Sequence, residues 1–105
     1  MTYIAKYSEA VPDRAEIDDL PGPLLLEFGI DSCPHCQGAQ AFIETALRDH
    51  PELRHIKIED GPSRRLGRSF RVKLWPTLIL MRGGQEIGRV VRPISTLEIS
   101  ELLAG

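Results

Sequence analysis

Hydrophobic and polar positions divide the chain into short segments whose spacing changes from one segment to the next. Residues 24–28 form an unbroken apolar run around one charged residue, Glu27, and such a run predicts a strand that is covered on both faces. The next segment carries apolar residues at helical spacing: Ala39, Phe42, Ile43, Ala46 and Leu47. We therefore expect a buried strand over 24–30 followed by an amphipathic helix over 34–49.

Shorter segments, separated by proline and glycine, lie on either side of this pair. The pattern predicts further strands over 2–7, 53–59, 77–81 and 86–91, a loop and short helix over 9–20, and helices over 63–70 and 95–103. Strands that alternate with helices and end in a hairpin and a last helix are typical of an α/β fold. We expect a central mixed sheet of four to five strands with helices on both faces.

Two local signals support the C-terminal part of this prediction. A glycine pair at 83–84 stands between two strand segments, where a tight hairpin turn needs positive φ angles. Ser95 and Glu98 have the spacing of a capping box at a helix start. Ile94 is expected to pack on Ile99 as the accompanying hydrophobic staple.

The composition is that of one compact domain, and we expect residues 1–105 to form a single unit. Of the 105 residues, 42% are hydrophobic and 27% are charged, and the formal net charge of −2 argues against general nucleic-acid binding. No apolar run approaches the roughly 20 residues of a membrane span, and residues 1–10 lack the apolar core of a signal peptide. We expect a cytoplasmic monomer, or a periplasmic protein if a signal peptide has been removed.

The feature that carries chemistry is the pair Cys33 and Cys36, the only two cysteines of the chain. The cytoplasm keeps thiols reduced, so a lone pair at this spacing is typical of a catalytic or metal-binding site. Pro34 suits the first position of a helix, because its missing N–H would have no partner there. Cys33 would then lie at the helix N-terminus, where a thiolate is favoured, and we assign it as the attacking cysteine and Cys36 as the resolving one.

A zinc site is the main alternative for these cysteines. Cys33 and Cys36, followed by His50 and His55, match the ligand spacing of a zinc finger. If the helix after Pro34 is continuous, however, Cys36 and His50 lie roughly 20 Å apart, which one metal ion cannot bridge. We therefore predict no metal, and we expect both histidines on the surface.

Four features together resemble the thioredoxin family over nearly the whole chain. They are the cysteine pair after a central strand, an acid six residues before it, a lysine in the next strand and a proline-containing loop: Cys33, Cys36, Glu27, Lys57, Trp75, Pro76 and Thr77. The resemblance implies the thioredoxin fold and a thiol-disulfide oxidoreductase that exchanges its cysteine pair with protein disulfides or dithiols in cell redox homeostasis. It also implies electron supply by a thioredoxin reductase or glutathione, and no bound cofactor beyond the redox-active disulfide.

The same resemblance implies roles for the remaining residues. Glu27 would accept the proton of Cys36 when the cysteine pair closes, with Lys57 as its charge partner. An acid inside a buried strand is costly to ionise, so we expect the pKa of Glu27 to rise. The segment 75–77 would carry a cis-proline, and its backbone would pair with an extended substrate.

Several residues depart from the usual thioredoxin pattern. Pro34 and His35 form a pair typical of oxidising relatives, and a protonated His35 would stabilise the thiolate and make the disulfide a better oxidant. Trp75 stands where an aliphatic residue is usual, Ser32 where a tryptophan is usual, and Ala41 where many members have a proline. These departures predict a less reducing protein with its own substrate range.

Two other functions stay open at this point. The fold could be a noncatalytic binding module with a regulatory cysteine pair, or a glutathione-dependent, glutaredoxin-like reductase that retains activity without Cys36. A basic cluster before the proline loop could steer acidic substrates or glutathione, or it could be a solvated helix face: Arg64, Arg65, Arg68, Arg71 and Lys73.

Overall fold

The computed structural model describes residues 3–105, and within them one mixed sheet of four strands forms the centre of the fold. The strands are β1 (Pro23–Gly29), β2 (Arg54–Glu59), β3 (Thr77–Arg82) and β4 (Gln85–Val91), in the spatial order β2-β1-β3-β4. β2 runs parallel to β1, whereas β3 is antiparallel to both β1 and β4. The predicted α/β fold with a central mixed sheet is confirmed.

Helices cover both faces of this sheet, as the sequence predicted. They are α1 (Arg14–Asp19), α2 (Pro34–Leu47), α3 (Arg65–Ser69) and α4 (Thr96–Leu103). One core joins α2 and α4 to the sheet through residues that include Leu25, Ile43, Leu78 and Ile99. The other core joins α1 and α3 to the opposite face through residues that include Ile17, Leu26, Phe28 and Leu66. No helix of the described part of the chain is long and apolar enough to cross a membrane.

The central position of β1 explains its unbroken apolar sequence. The strand pairs with β2 on one side and β3 on the other, and its side chains from Leu24 to Phe28 are at most 1% exposed. The parallel register sets Leu25 opposite His55 and Glu27 opposite Lys57. The one charged residue of the buried strand is thereby held next to two basic residues of its neighbour.

The N-terminal segment differs from the prediction. Residues 3–7 form no strand, and Thr2 lies outside the described residues. Only Ser8 makes a parallel bridge, to Ile58, with its backbone N–H donating to the Lys57 carbonyl at 3.0 Å. The backbone before Ser8 instead hydrogen-bonds to side chains of the sheet. Lys57 donates to the carbonyl of Ala5, and His55 accepts from the N–H of Ile4.

The hairpin and the last helix are confirmed, with one exception. The glycines at 83–84 have φ angles of 58° and 77°. Ser95 caps α4 by accepting from the Glu98 backbone N–H, while the Glu98 carboxylate accepts from the N–H of Ile94. The predicted staple is wrong, because Ile94 is 82% exposed and lines an open cleft with Pro34 and Phe42.

Candidate active site

The two cysteines lie at the start of α2, directly after the sheet. Cys33 is the N-cap residue, and Pro34 follows it in the first turn, as the sequence predicted. The Cys33 side chain is partly exposed, the Cys36 side chain is buried, and both thiols are free. The strand β1 and the short turn after it therefore deliver one accessible and one inaccessible sulfur to the same helix end.

The helix end changes the acidity of Cys33. Burial alone would raise the pKa of this thiol, but hydrogen bonds from the backbone and side chain of Cys36 and from the backbone of His35 outweigh it, helped by the charge of Arg92. The net result is a pKa of Cys33 below its ordinary value. His35 contributes through its backbone N–H, while its imidazole is exposed.

The second thiol is shifted in the opposite direction. Burial raises the pKa of Cys36 to about 11, against hydrogen bonds from the backbone of Ile30 and the hydroxyl of Tyr7. At neutral pH one sulfur is therefore disposed to ionise and the other to keep its proton.

Glu27 lies below the cysteines with a side chain that solvent does not reach. Its Oε2 atom accepts from the hydroxyl of Tyr7 at 2.5 Å and from Nε2 of Gln40 at 2.9 Å. Its Oε1 atom lies 2.9 Å from Nε2 of His55, and the ammonium of Lys57 lies 3.9 Å from Oε2. Both carboxylate oxygens are thus supplied with donors.

Because of these donors, the pKa of Glu27 shifts in the direction opposite to the prediction. Burial raises its pKa, but the hydrogen bond from His55, the charge of Lys57 and the hydrogen bond from Gln40 together hold it below the ordinary value of 4.5. The expectation of a raised pKa is wrong, because it counted the burial and one partner and missed the others. Glu27 is therefore a carboxylate at neutral pH.

His55 is the partner that the sequence did not reveal. The prediction of a surface position is wrong, since this residue is only 5% exposed. Its Nδ1 atom accepts the backbone N–H of Ile4 at 2.9 Å, so the proton is on Nε2 and points to Glu27. His50 is half-buried in the turn after α2. No cluster of three or more metal-ligating side chains occurs among residues 3–105.

Lys57 is buried and has three partners. Its ammonium donates to the carbonyl of Ala5 at 2.5 Å and to Oε1 of Gln40 at 2.7 Å, in addition to its 3.9 Å approach to Glu27. Burial lowers the pKa of Lys57, and the charge of Glu27 opposes this shift. The predicted pairing of Lys57 with Glu27 is present, but Gln40 and His55 approach the carboxylate more closely.

Tyr7 and Gly29 complete the site beside Cys36, and sequence reasoning missed both. A Cβ atom on Gly29 would lie 2.6 Å from the sulfur of Cys36 and 2.6 Å from the hydroxyl of Tyr7. Only glycine leaves the room in which these two groups meet. A signal was present, because Gly29 lies two residues after Glu27 and so faces the same side of the strand.

The proline loop lies at the other side of the cysteines. The peptide bond between Trp75 and Pro76 is cis, and Thr77 is buried with its hydroxyl bonded to the carbonyl of Leu74. The indole N–H of Trp75 donates to Asp60 at 2.9 Å, which leaves the ring half-buried. The loop is therefore held by side-chain bonds at Trp75 and at Thr77.

Arg92 is a further residue at this site that the sequence analysis did not single out. Its backbone has a φ of 51°, and its N–H donates to the carbonyl of Pro76 at 2.9 Å. Its Nε atom donates to the carbonyl of Trp75 at 2.9 Å, and its charge acts on Cys33. The left-handed backbone, unusual for arginine, places a cation between the proline loop and the thiol.

The comparisons with known proteins agree with this geometry. The family model for thioredoxin matches residues 7–104. The solved structure of reduced thioredoxin 2 from Pseudomonas aeruginosa is 52% identical, with a TM-score of 0.85 over 94% of this chain and 92% of that one. Among curated relatives, thioredoxin C-3 of Corynebacterium nephridii is 27% identical over 77% of this chain, and thioredoxin H2-1 of Oryza sativa is 25% identical over 65%.

The chain spans only 56% of the length of the Corynebacterium relative and 49% of the length of the Oryza relative. The family match, in contrast, runs from Tyr7 almost to the C-terminal residue and includes all four strands of the sheet. The chain therefore belongs to the thioredoxin family.

Proposed function

We propose that this protein is a thiol-disulfide oxidoreductase that exchanges electrons between the Cys33–Cys36 pair and protein disulfides or dithiols. The observation that carries the proposal is the placement of two free thiols at the start of α2, with Cys33 partly exposed and Cys36 buried. The pKa of the accessible Cys33 lies below its ordinary value, and burial raises that of Cys36 to about 11. A pair with this asymmetry has one nucleophile and one protonated thiol in reserve.

The reductive cycle follows from this division. The thiolate of Cys33 attacks a substrate disulfide, a mixed disulfide forms, and one substrate sulfur leaves as a thiolate. The thiol of Cys36 then attacks the Cys33 sulfur, the pair closes, and the second substrate thiolate leaves. Glu27 receives the proton that Cys36 loses, with Lys57 holding the carboxylate in place. The reverse sequence oxidises a substrate dithiol.

Substrate would bind across the proline loop. Arg92 donates to the carbonyl groups of Trp75 and Pro76, and its charge acts on Cys33, so segment 75–77 is the place where we expect an extended chain to add as a strand. Next to it an open cleft of about 420 Å³ runs between His35, Phe42, Arg92 and Ile94. This cleft offers apolar contacts with one cation at its edge, so we expect substrates with an apolar side chain and an acidic group near the disulfide.

The supporting roles are part of the same proposal. The two sulfurs carry the electrons, so no bound cofactor is needed, and a thioredoxin reductase or glutathione would restore the dithiol. We also propose a place in cell redox homeostasis, as a cytoplasmic monomer. Of the basic cluster before the loop, Arg64 is already paired with Glu59 at 2.7 Å, whereas Arg65, Arg68, Arg71 and Lys73 are exposed and available for steering.

The test is turnover of a small disulfide-linked protein with dithiothreitol as the electron source. Wild-type protein should reduce it catalytically, Cys33→Ser should be inactive, and Cys36→Ser should accumulate the mixed disulfide, seen as added mass on the intact protein. Absence of turnover by the wild type would favour the binding module. Catalysis by Cys36→Ser with glutathione at the wild-type rate would favour the glutaredoxin-like enzyme.

A further inference from the structure

Tyr7 occupies the space between the resolving cysteine and the buried acid. Its hydroxyl donates to Oε2 of Glu27 at 2.5 Å and lies beside the sulfur of Cys36. Gly29 lies beneath both groups, since its absent Cβ would meet the Cys36 sulfur and the Tyr7 hydroxyl at the same distance of 2.6 Å. The tyrosine hydroxyl is thus bonded to the carboxylate and adjacent to the sulfur.

The other neighbours of Glu27 do not offer a path for the proton of Cys36. Gln40 donates to Oε2 and His55 to Oε1, so the remaining neighbours of the carboxylate are donors of their own protons. A cleft of about 140 Å³ reaches Cys36, Tyr7 and Gln40 from the surface, but the Glu27 side chain has no exposed area. Cys36 and Tyr7 are among the residues that line this cleft, and Glu27 is not.

Tyr7 is also held in place from both ends of its residue. Its backbone N–H donates to Asp31 at 3.3 Å, and the next residue, Ser8, is hydrogen-bonded to both sides of Ile58 in β2. The ammonium of Lys57 lies 4.5 Å from the centre of its ring. Tyr7 is therefore positioned by backbone hydrogen bonds on both sides of the residue, by the contact of its ring with Lys57 and by the bond of its hydroxyl to Glu27.

We propose that Tyr7 is a catalytic residue that passes the proton of Cys36 to Glu27 during closure of the disulfide. As the Cys36 sulfur bonds to the Cys33 sulfur, its S–H bond breaks and the proton goes to the Tyr7 oxygen. In the same step the tyrosine O–H bond breaks and that proton goes to Oε2 of Glu27. The Cys33–substrate bond breaks, and the substrate sulfur leaves with the electron pair. This inference rests on the proposed function and names its proton path.

The surroundings of Tyr7 favour a proton relay and disfavour a tyrosinate intermediate. Burial, the charge of Glu27 and the hydrogen bond to Glu27 all raise the pKa of Tyr7 far above its ordinary value. A tyrosinate is therefore not formed, and the two proton transfers must occur together. The groups that face Glu27 are Tyr7, Gln40, His55 and Lys57. Gln40 also donates to the backbone carbonyl of Cys36 at 2.8 Å, whereas Tyr7 is the one whose hydroxyl lies beside the Cys36 sulfur.

The experiment measures closure separately from attack. Reduced protein is mixed with a small disulfide substrate, quenched in acid at millisecond intervals, and weighed intact, so that the mixed disulfide appears and then disappears. Tyr7→Phe should leave the rate of appearance within twofold of wild type and slow the disappearance about tenfold at pH 7. Its remaining closure should rise about tenfold per pH unit, because hydroxide must then remove the proton.

Tyr3→Phe is the matched control, because it removes the hydroxyl of the other tyrosine of the chain. That hydroxyl donates to Oε1 of Gln40 and is separated from Cys36 by that side chain. Closure in Tyr3→Phe should stay within twofold of wild type at every pH. A closure rate for Tyr7→Phe within twofold of wild type between pH 6 and 8 would overturn the relay.

Two further measurements separate this inference from the proposed function. If Glu27→Gln slows closure and Tyr7→Phe does not, the relay is wrong and the oxidoreductase stands, whereas a wild type that forms no mixed disulfide removes the function itself. In wild-type protein, closure in mixtures of light and heavy water should depend quadratically on the deuterium fraction, because two protons move together. A linear dependence would also overturn the relay, without the use of any variant.

Discussion

Nε2 of His55 donates to Oε1 of Glu27 over 2.9 Å, between two side chains that solvent does not reach. The bond joins neighbouring parallel strands, and the second nitrogen of the ring is occupied by the N–H of Ile4. Both ring nitrogens are thereby engaged, and the ring is held in place as a donor to Glu27. Together with Lys57 and Gln40 it explains how a carboxylate can remain ionised in the centre of the sheet.

Removal of this donor should destabilise the protein. We expect His55→Ala to lower the free energy of unfolding by about 2–4 kcal/mol at pH 7, because a buried carboxylate loses a hydrogen bond and a cavity is left. Urea unfolding measures it, with His50→Ala, from a half-buried turn position, as the matched control. In the double variant with Glu27→Gln the cost of His55→Ala should shrink by about 1 kcal/mol or more. Additive costs would contradict the pairing.

Glu27 should make the protein more stable above its pKa than below it. Its pKa is lowered in the folded state, so its ionisation stabilises the fold above the unfolded value of about 4.3, and the contribution is lost as the pH falls toward the folded pKa. The difference in unfolding free energy between wild type and Glu27→Gln, measured with urea from pH 7 to pH 3, should therefore decrease below about pH 4.5. An increasing difference would mean that the pKa is raised.

Arg92 should set part of the reactivity of Cys33. Its charge lowers the pKa of that thiol, so Arg92→Ala should raise the pKa and reduce the thiolate fraction at pH 7 about two- to fivefold. The pH dependence of Cys33 alkylation by iodoacetamide gives the value directly. Arg71→Ala is the control, since Arg71 also has a positive φ, of 59°, and removing it should leave Cys33 unchanged.

The influence of His35 on the redox equilibrium should come mainly through its backbone. We expect a reduction potential less negative than the roughly −270 mV of thioredoxin, and a shift of less than about 30 mV in His35→Ala, because the substitution keeps the N–H that stabilises the thiolate. Equilibration in graded glutathione buffers, with the disulfide quantified by mass, tests both values. A shift beyond about 60 mV would assign the effect to the imidazolium charge instead.

Alanine substitution should destabilise the protein at Gly29 and stabilise it at Gly38. Gly29→Ala places a Cβ against Cys36 and Tyr7 and should cost about 1–3 kcal/mol of stability while slowing disulfide closure. Gly38→Ala lies within α2, with no atom within 4 Å of the new Cβ, and should stabilise by about 0.5–1 kcal/mol. Thermal unfolding and the quench experiment measure the two effects. Equal behaviour of the two variants would argue against a close approach at Gly29.

Most of the fold could be predicted from local sequence patterns. The unbroken run around Glu27 predicted a strand buried on both faces, and Pro34 predicted the helix start at Cys33, because both signals depend on near neighbours. The position of His55 depends on the register between β1 and β2, which no spacing within a single segment reveals. Arg92 is recognised only when its backbone angle and its bond to Trp75 are seen. The residues that the sequence did not reveal are therefore those whose positions depend on contacts between distant segments.

The segment before Ser8 can alter the surroundings of the buried ionisable side chains without a change in the sheet or the helices. Ile4, Ala5 and Tyr7 each hydrogen-bond to one of the buried side chains His55, Lys57 and Glu27, and none of them belongs to a helix or strand. The region shared with the family begins at Tyr7. A different segment before Ser8, on an unchanged sheet and cysteine motif, would therefore change the hydrogen bonds that hold Glu27, His55 and Lys57.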